Sequence, residues 1–266
     1  MVIPRFYVPQ PLAVGDDVTL PEAVANHAVR VLRLQAGDAL VLFNGEGGAY
    51  AGVLLPQEAD ESEPVKGKRE GKQSRASKQR EVQVRLQTFQ SDDRSSPLRI
   101  RLWQGVSAAE RMDFTWQKSV ELGVHQCVPV EMRRCVMRLE GTRAEKRHAH
   151  WQGVIVAAAE QCGLNRLPAL APVRTLAEAL QEPATGVRVM LDPDATESYP
   201  VWLERQPGLS DLTILIGPEG GFAPEEIEAA KAAGFLCFRL GPRVFRTETA
   251  GPVALAVTQA IAGDLR

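Results

Sequence analysis

Three short stretches in the last third of the sequence carry the residue types from which a ligand site is built. They are Leu191-Asp192-Pro193-Asp194-Ala195, Leu215-Ile216-Gly217-Pro218-Glu219-Gly220-Gly221-Phe222 and Leu240-Gly241-Pro242-Arg243-Val244-Phe245-Arg246-Thr247-Glu248-Thr249-Ala250. Each follows an apolar run that reads as a strand, and in open α/β sheets ligands bind outside the carboxyl ends of the strands. Glycines let backbone amides approach a ligand or another segment closely. A phosphate-cradling loop needs a following Lys-Ser or Lys-Thr, but Phe222-Ala223-Pro224 follows instead, and G-x-G-x-x-G is absent. The loops therefore suit a ligand without a phosphate, read by backbone groups and by apolar walls such as Leu240, Val244 and Leu255. Tight turns with no ligand are the alternative reading of the same glycines and prolines.

The elements that must position these loops follow from the pattern. From Leu98 onward, apolar strands alternate with helices, which implies α/β architecture with a mostly parallel sheet. Strands are expected at Leu98–Trp103, Val187–Leu191, Leu212–Ile216 and Phe235–Leu240. Capping boxes are expected at Ser107–Glu110, Thr142–Glu145 and Thr175–Glu178. Met112, Trp116 and Val120 mark the buried face of one helix, and Val253, Val257 and Ile261 that of the last. Before residue 57 the pattern is short strands, with a helix candidate at Ala23–Leu32 and a hairpin turn at Asn44-Gly45. That suggests a small β-barrel. Val82–Leu86 resumes the strand pattern, and the segment Glu58–Arg80 is too poor in apolar residues to offset its ordering entropy. The expected domains are 1–95, with a flexible insertion at about 58–81, and 96–266.

The chain has 266 residues and a net charge of -2. No apolar run suits a membrane helix, no signal-peptide pattern opens the chain, and the four scattered cysteines read as buried free thiols of a cytoplasmic protein. No metal-ligand spacing is present. Charge is unevenly spread. Arg133–Arg147 holds six basic residues against two acids, Lys66–Arg80 seven against one, and Thr175–Phe235 eleven acids against three basic residues. A basic front on an acidic body suits RNA, and a solvated surface is the other reading.

Residue strings along nearly the whole chain resemble the SPOUT class of RNA methyltransferases. More narrowly they resemble the RsmE family, which methylates uridine N3 in small-subunit (16S) rRNA. The strings are Arg5-Phe6-Tyr7-Val8, His27 with Val31-Leu32-Arg33-Leu34, Glu110-Arg111-Met112, Gln117–Val124, Arg134-Cys135, Ala158–Gly163 and the two C-terminal loops. The resemblance implies an N-terminal PUA-like RNA-binding β-barrel, a C-terminal SPOUT α/β domain with a trefoil knot, a homodimer, and S-adenosylmethionine (SAM) as cofactor. Its partners would be 16S rRNA or the small ribosomal subunit. SAM would be held by Leu191, Leu215, Gly217, Gly220, Gly221, Leu240, Gly241, Val244, Phe245, Thr249, Ala250 and Leu255. Uridine N3 carries a proton near neutral pH, so transfer requires its removal. Arg246 is the candidate cation for the resulting anion, with a phosphate contact or an ion pair to Glu248 as its alternatives. Glu219 and Glu248 are candidate proton acceptors, or loop and helix caps. Arg5, Arg30, Arg33, Arg111, Arg133, Arg134 and Arg166 are candidate RNA contacts, and His27 is read as structural. Where the family has Arg after Glu160-Gln161-Cys162-Gly163, this chain has Leu164, with Arg166 two places on. A SPOUT enzyme acting on another RNA or atom, and a non-catalytic RNA-binding module, are the competing readings.

Overall fold

The computed structural model describes residues 3–56, 81–92 and 94–265. The expected insertion at about 58–81, and the basic run within it, fall outside these residues except for Glu81. The chain divides into two compact units, Met1–Asp93 and Arg94–Arg266.

The first unit holds β1 (Arg5–Tyr7), β2 (Asp17–Thr19), α1 (Glu22–Asn26) running into a π-helical turn at His27–Val31, then β3 (Ala39–Phe43), β4 (Ala49–Leu54) and β5 (Gln83–Gln90). They form one sheet in the order β1-β3-β4-β5-β2. Alternation along β3, β4 and β5 sends Leu40, Leu42, Leu54, Val84 and Leu86 inward against Phe6 and Val8. The β3–β4 connection is longer than a two-residue Asn-Gly turn. It runs from Asn44 to Gly48, and the Asn44 side chain accepts the Glu46 N–H and donates to its carboxylate.

The second unit is built on β6 (Arg99–Gly105), β7 (Gln126–Glu131), β8 (Ala169–Leu170), β9 (Arg174–Thr175), β10 (Val187–Leu191), β11 (Asp211–Ile216) and β12 (Leu236–Phe238). The order is β12-β10-β11-β6-β7-β8, with β9 also on β7, and every pairing is parallel. Helices cover both faces. Trp103, Met190 and Leu215 pack on one face with residues of α4 (Leu176–Leu180) and α6 (Pro224–Ala232). On the other side lie α2 (Ala109–Glu121), α3 (Gly141–Cys162), α5 (Tyr199–Leu203) and α7 (Thr247–Ala262). Met112, Trp116 and Val120 are buried as the spacing predicts, and Trp116 meets Trp151 of α3 edge-on at 6.2 Å.

Three further local expectations are corrected. Of the three capping boxes, only Thr175–Glu178 forms. Helix α2 begins at Ala109 with no side-chain cap of its own, and α3 begins at Gly141, ahead of Thr142. The innermost face of α7 is Gly251, Ala254, Leu255 and Thr258, while Val253, Val257 and Ile261 are half-buried. Small residues go innermost because the helix lies close to β6: a Cβ added at Gly251 would sit 3.1 Å from Leu102 Cδ2. The cysteines are all free, but only Cys127 is fully buried. Among the described residues, no helix is long and apolar enough to cross a membrane.

Candidate functional site

The carboxyl ends of β10, β11 and β12 open into a cavity of about 540 Å³, within the range of small-molecule sites. The three loops singled out by composition form its wall. Leu191 to Asp194 contribute one side, Ile216 to Glu219 with Gly221 and Phe222 another, and Leu240, Gly241 and Arg243 to Glu248 a third, with Ala250 of α7 behind them. Arg111 of α2 and Arg134, from the loop after β7, complete it.

Each loop is held by its own bonds. Asp192 accepts the Asp194 N–H. Gly221 donates to the Pro218 carbonyl at 2.9 Å and closes its turn with φ of 67°, a conformation that favours glycine. Gly105, at the end of β6, is glycine for another reason: a Cβ there would sit 2.4 Å from the Pro218 nitrogen. Thr247 opens α7 and is buried. Its hydroxyl donates to the Gly217 carbonyl at 2.6 Å and accepts from Gln104 Nε2 at 2.8 Å. This chain of bonds ties the start of α7 to the ends of β6 and β11. Sequence reasoning missed Gln104 and Gly105, although a polar residue after Leu102-Trp103 in a strand buried on both faces was a usable signal. It also missed Ile227 of α6, which lines the cavity.

The charged residues group differently from the expectation. Glu219 Oε1 accepts both the Ala108 N–H at the start of α2 and Arg111 Nη1, each at 2.9 Å. A loop carboxylate thus performs the end-capping that Glu110 was expected to perform. Arg111 Nε also lies 3.9 Å from Glu248. The Oε2 atoms of both glutamates are buried without a hydrogen-bond partner among the described residues. Arg246 lines the cavity, is exposed, and among the described residues has no ion pair. One expected alternative for Arg246, an ion pair with Glu248, is replaced by Arg111–Glu248.

The remaining expected residues are dispersed. Leu215 and Leu255 are fully buried in the packing of the unit, and neither they nor Gly220 and Thr249 line the cavity. Gly220 supports the wall from behind: a Cβ there would sit 2.8 Å from Arg134 Cβ, and its carbonyl accepts from Arg134 Nη1 at 3.1 Å. Arg133 is paired with Glu225, and its N–H donates to Glu226. Arg166 is exposed near His125, at the amino-end edge of the sheet and opposite the cavity, about 20 Å away by the length of β6. Leu164 is buried. In the first unit Arg30 and Arg33 are exposed, Arg5 stacks on Phe43 at 5.2 Å, and His27 meets Phe6 edge-on. Burial, above all, pushes the thiols of Cys127, Cys135 and Cys237 up, so none is primed as a thiolate. No cluster of metal-ligating side chains occurs among the described residues.

Comparison with known proteins agrees with this architecture. The family model described as "RNA methyltransferase domain" matches residues 94–259, and "RNA methyltransferase PUA domain" matches residues 20–56. The ribosomal RNA small subunit methyltransferase E of Mycobacterium bovis is 30% identical, with 96% of this chain and 90% of that protein covered. Its counterpart from Buchnera aphidicola is 28% identical over 99% and 98%. The crystal structure of the Neisseria gonorrhoeae small subunit methyltransferase E, bound to S-adenosyl methionine, is 33% identical, covers both chains completely and superposes with a TM-score of 0.84. A Legionella pneumophila structure with bound SAM has the same identity and coverage and a TM-score of 0.87.

Proposed function

Since the chain belongs to the family of RNA methyltransferases that includes the ribosomal RNA small subunit methyltransferases E, we propose that it uses SAM to methylate N3 of a specific uridine in 16S rRNA. The observation that carries this reading is the cavity at the strand ends, with apolar surface in its walls and, in its rim, the guanidinium of Arg246, which has no ion pair among the described residues. The residues present fit SAM. Leu191, Ile216, Leu240 and Phe222 offer apolar surface to a nucleoside, while the turns at Pro218–Gly221 and Gly241 offer close backbone approach. When bound, SAM supplies a methyl group carried on a sulfonium.

This chain's residues would do the rest by positioning and electrostatics. Arg246 would stabilise negative charge on the uracil as the N3 proton leaves. Glu219 is committed to the start of α2 and to Arg111, which makes it an organiser of the wall. Glu248 lies farther from Arg111 and is the better placed of the two to receive a proton. The reading includes a trefoil knot, supported by the bond from Thr247, at the start of α7, to Gly217 in the loop after β11, together with a homodimer and a cytoplasmic location.

Titration calorimetry with SAM tests the cofactor; no heat at millimolar SAM would remove the enzyme reading. Mapping N3-methyluridine in rRNA from a deletion strain tests the substrate, and a modification that persists would rule out the proposed uridine.

A further inference from the structure

We propose that the loop at residues 132–140 and the first two turns of α3 form a ridge that grips the phosphate backbone of the RNA strand whose base enters the cavity. This rests on the methyltransferase reading and deepens it.

The ridge starts where β7 ends, at the same end of the parallel sheet as the cavity. Arg134 belongs to both. Beyond it come Arg138, Arg143 and Lys146, all exposed, and the half-buried Arg147. Among the described residues none of these four has an ion pair, whereas neighbouring Arg133 is committed to Glu225. Arg143, Lys146 and Arg147 share one face of the helix by their three- and four-residue spacing, and Glu145 falls on the other side.

The loop is anchored. Its Arg133 N–H donates to Glu226, Arg134 donates to Gly220 O, and Leu139 N–H donates to Glu131. The backbone that carries its cations is therefore fixed before any partner arrives. Val136, 73% exposed between these arginines, offers apolar contact of the kind an unstacked base or sugar uses. Unpaired guanidinium groups on a fixed scaffold beside a cavity sized for a nucleoside favour an RNA strand, since phosphate contacts set register while the base is read elsewhere.

The test uses the full chain carrying Arg138→Glu, Arg143→Glu and Lys146→Glu, with a short single-stranded uridine-containing RNA as probe. Binding is followed by fluorescence anisotropy across a salt series. Three lost phosphate contacts should lower affinity at least roughly 10-fold and reduce the slope of log K against log salt by about 2. SAM affinity and the melting temperature should stay as in the wild type. A triple variant to Gln should give the same loss of slope without introduced repulsion. Unchanged RNA affinity and slope in a folded variant would overturn the ridge, whether it is a solvated face or docks an acidic protein. Absence of SAM binding in the wild type would instead strike the methyltransferase reading and leave the ridge measurable.

Discussion

Thr247 and Arg246 are neighbours with separable roles. The Thr247 hydroxyl is buried and makes two bonds, to Gly217 O and from Gln104. Thr247→Val keeps the shape and removes both, leaving the Gly217 carbonyl without its donor and Gln104 Nε2 with only its bond to the Gly105 carbonyl; an unsatisfied buried group costs about 1–3 kcal/mol. Urea unfolding should therefore show a loss of stability, with weaker SAM binding as the β11 loop loosens. Arg246 makes no such bond, so Arg246→Ala should leave stability and SAM affinity nearly unchanged. Methyl transfer should fall by roughly 10²–10³ in kcat, the size of effect seen when one preorganised charge-stabilising group is removed. A kcat within a few-fold of wild type in single-turnover assays would remove Arg246 from the chemistry. Gly105→Ala is the third test at this scale. Its Cβ would collide with backbone at Pro218, so both the melting temperature and SAM affinity should drop. None of this pairing was legible in the sequence. Composition marked the loops, but Arg246 and Glu248 looked like partners because they are near in sequence, whereas Arg111, more than a hundred residues away, reaches Glu248 only through the fold.

At the level of elements, the strands and helices of the second unit were legible wherever periodicity was strong, as in β10, β11 and the buried face of α2. Strand β7 was not, because Pro129 interrupts it and a proline argues against a central strand. The fold accommodates it: Pro129 lies opposite Gln104 on one side and falls between the β8 and β9 pairings on the other. Helix starts were over-read, since a Ser or Thr three residues before Glu specifies a box only if the chain enters the helix there. Helix α4 is the case where it does. The Glu178 carboxyl is held below the ordinary glutamate range by the Thr175 N–H and hydroxyl. A depressed carboxyl favours the folded state when ionised, so its contribution is present at neutral pH and is lost as pH falls through the carboxylate range, from about 5 downward. Glu178→Gln should flatten the acid side of a plot of urea midpoint against pH, and Thr175→Ala should cost about 1 kcal/mol at pH 7. Parallel curves for wild type and Glu178→Gln would discount the cap.

The whole molecule separates two kinds of binding. Among the described residues, those lining the cavity all lie between Arg111 and Ala250, inside the second compact unit, which also contains the seven-stranded parallel sheet with helices on both faces. The first unit has its own apolar core around Phe6, Leu40 and Leu86, and it matches the PUA model over residues 20–56. Cofactor binding should therefore be a property of residues 94–266, and RNA affinity a property of the full chain. Expressed alone, residues 94–266 should unfold cooperatively and bind SAM within a few-fold of the intact protein. RNA affinity should fall, and its salt dependence should shrink but not vanish, because the cations after β7 remain. SAM carries no phosphate, so its affinity should change far less than that of RNA across the same salt series in either protein. If the shorter piece folded but lost SAM, the first unit would have to support the cavity in a way its own sheet and core give no reason to expect.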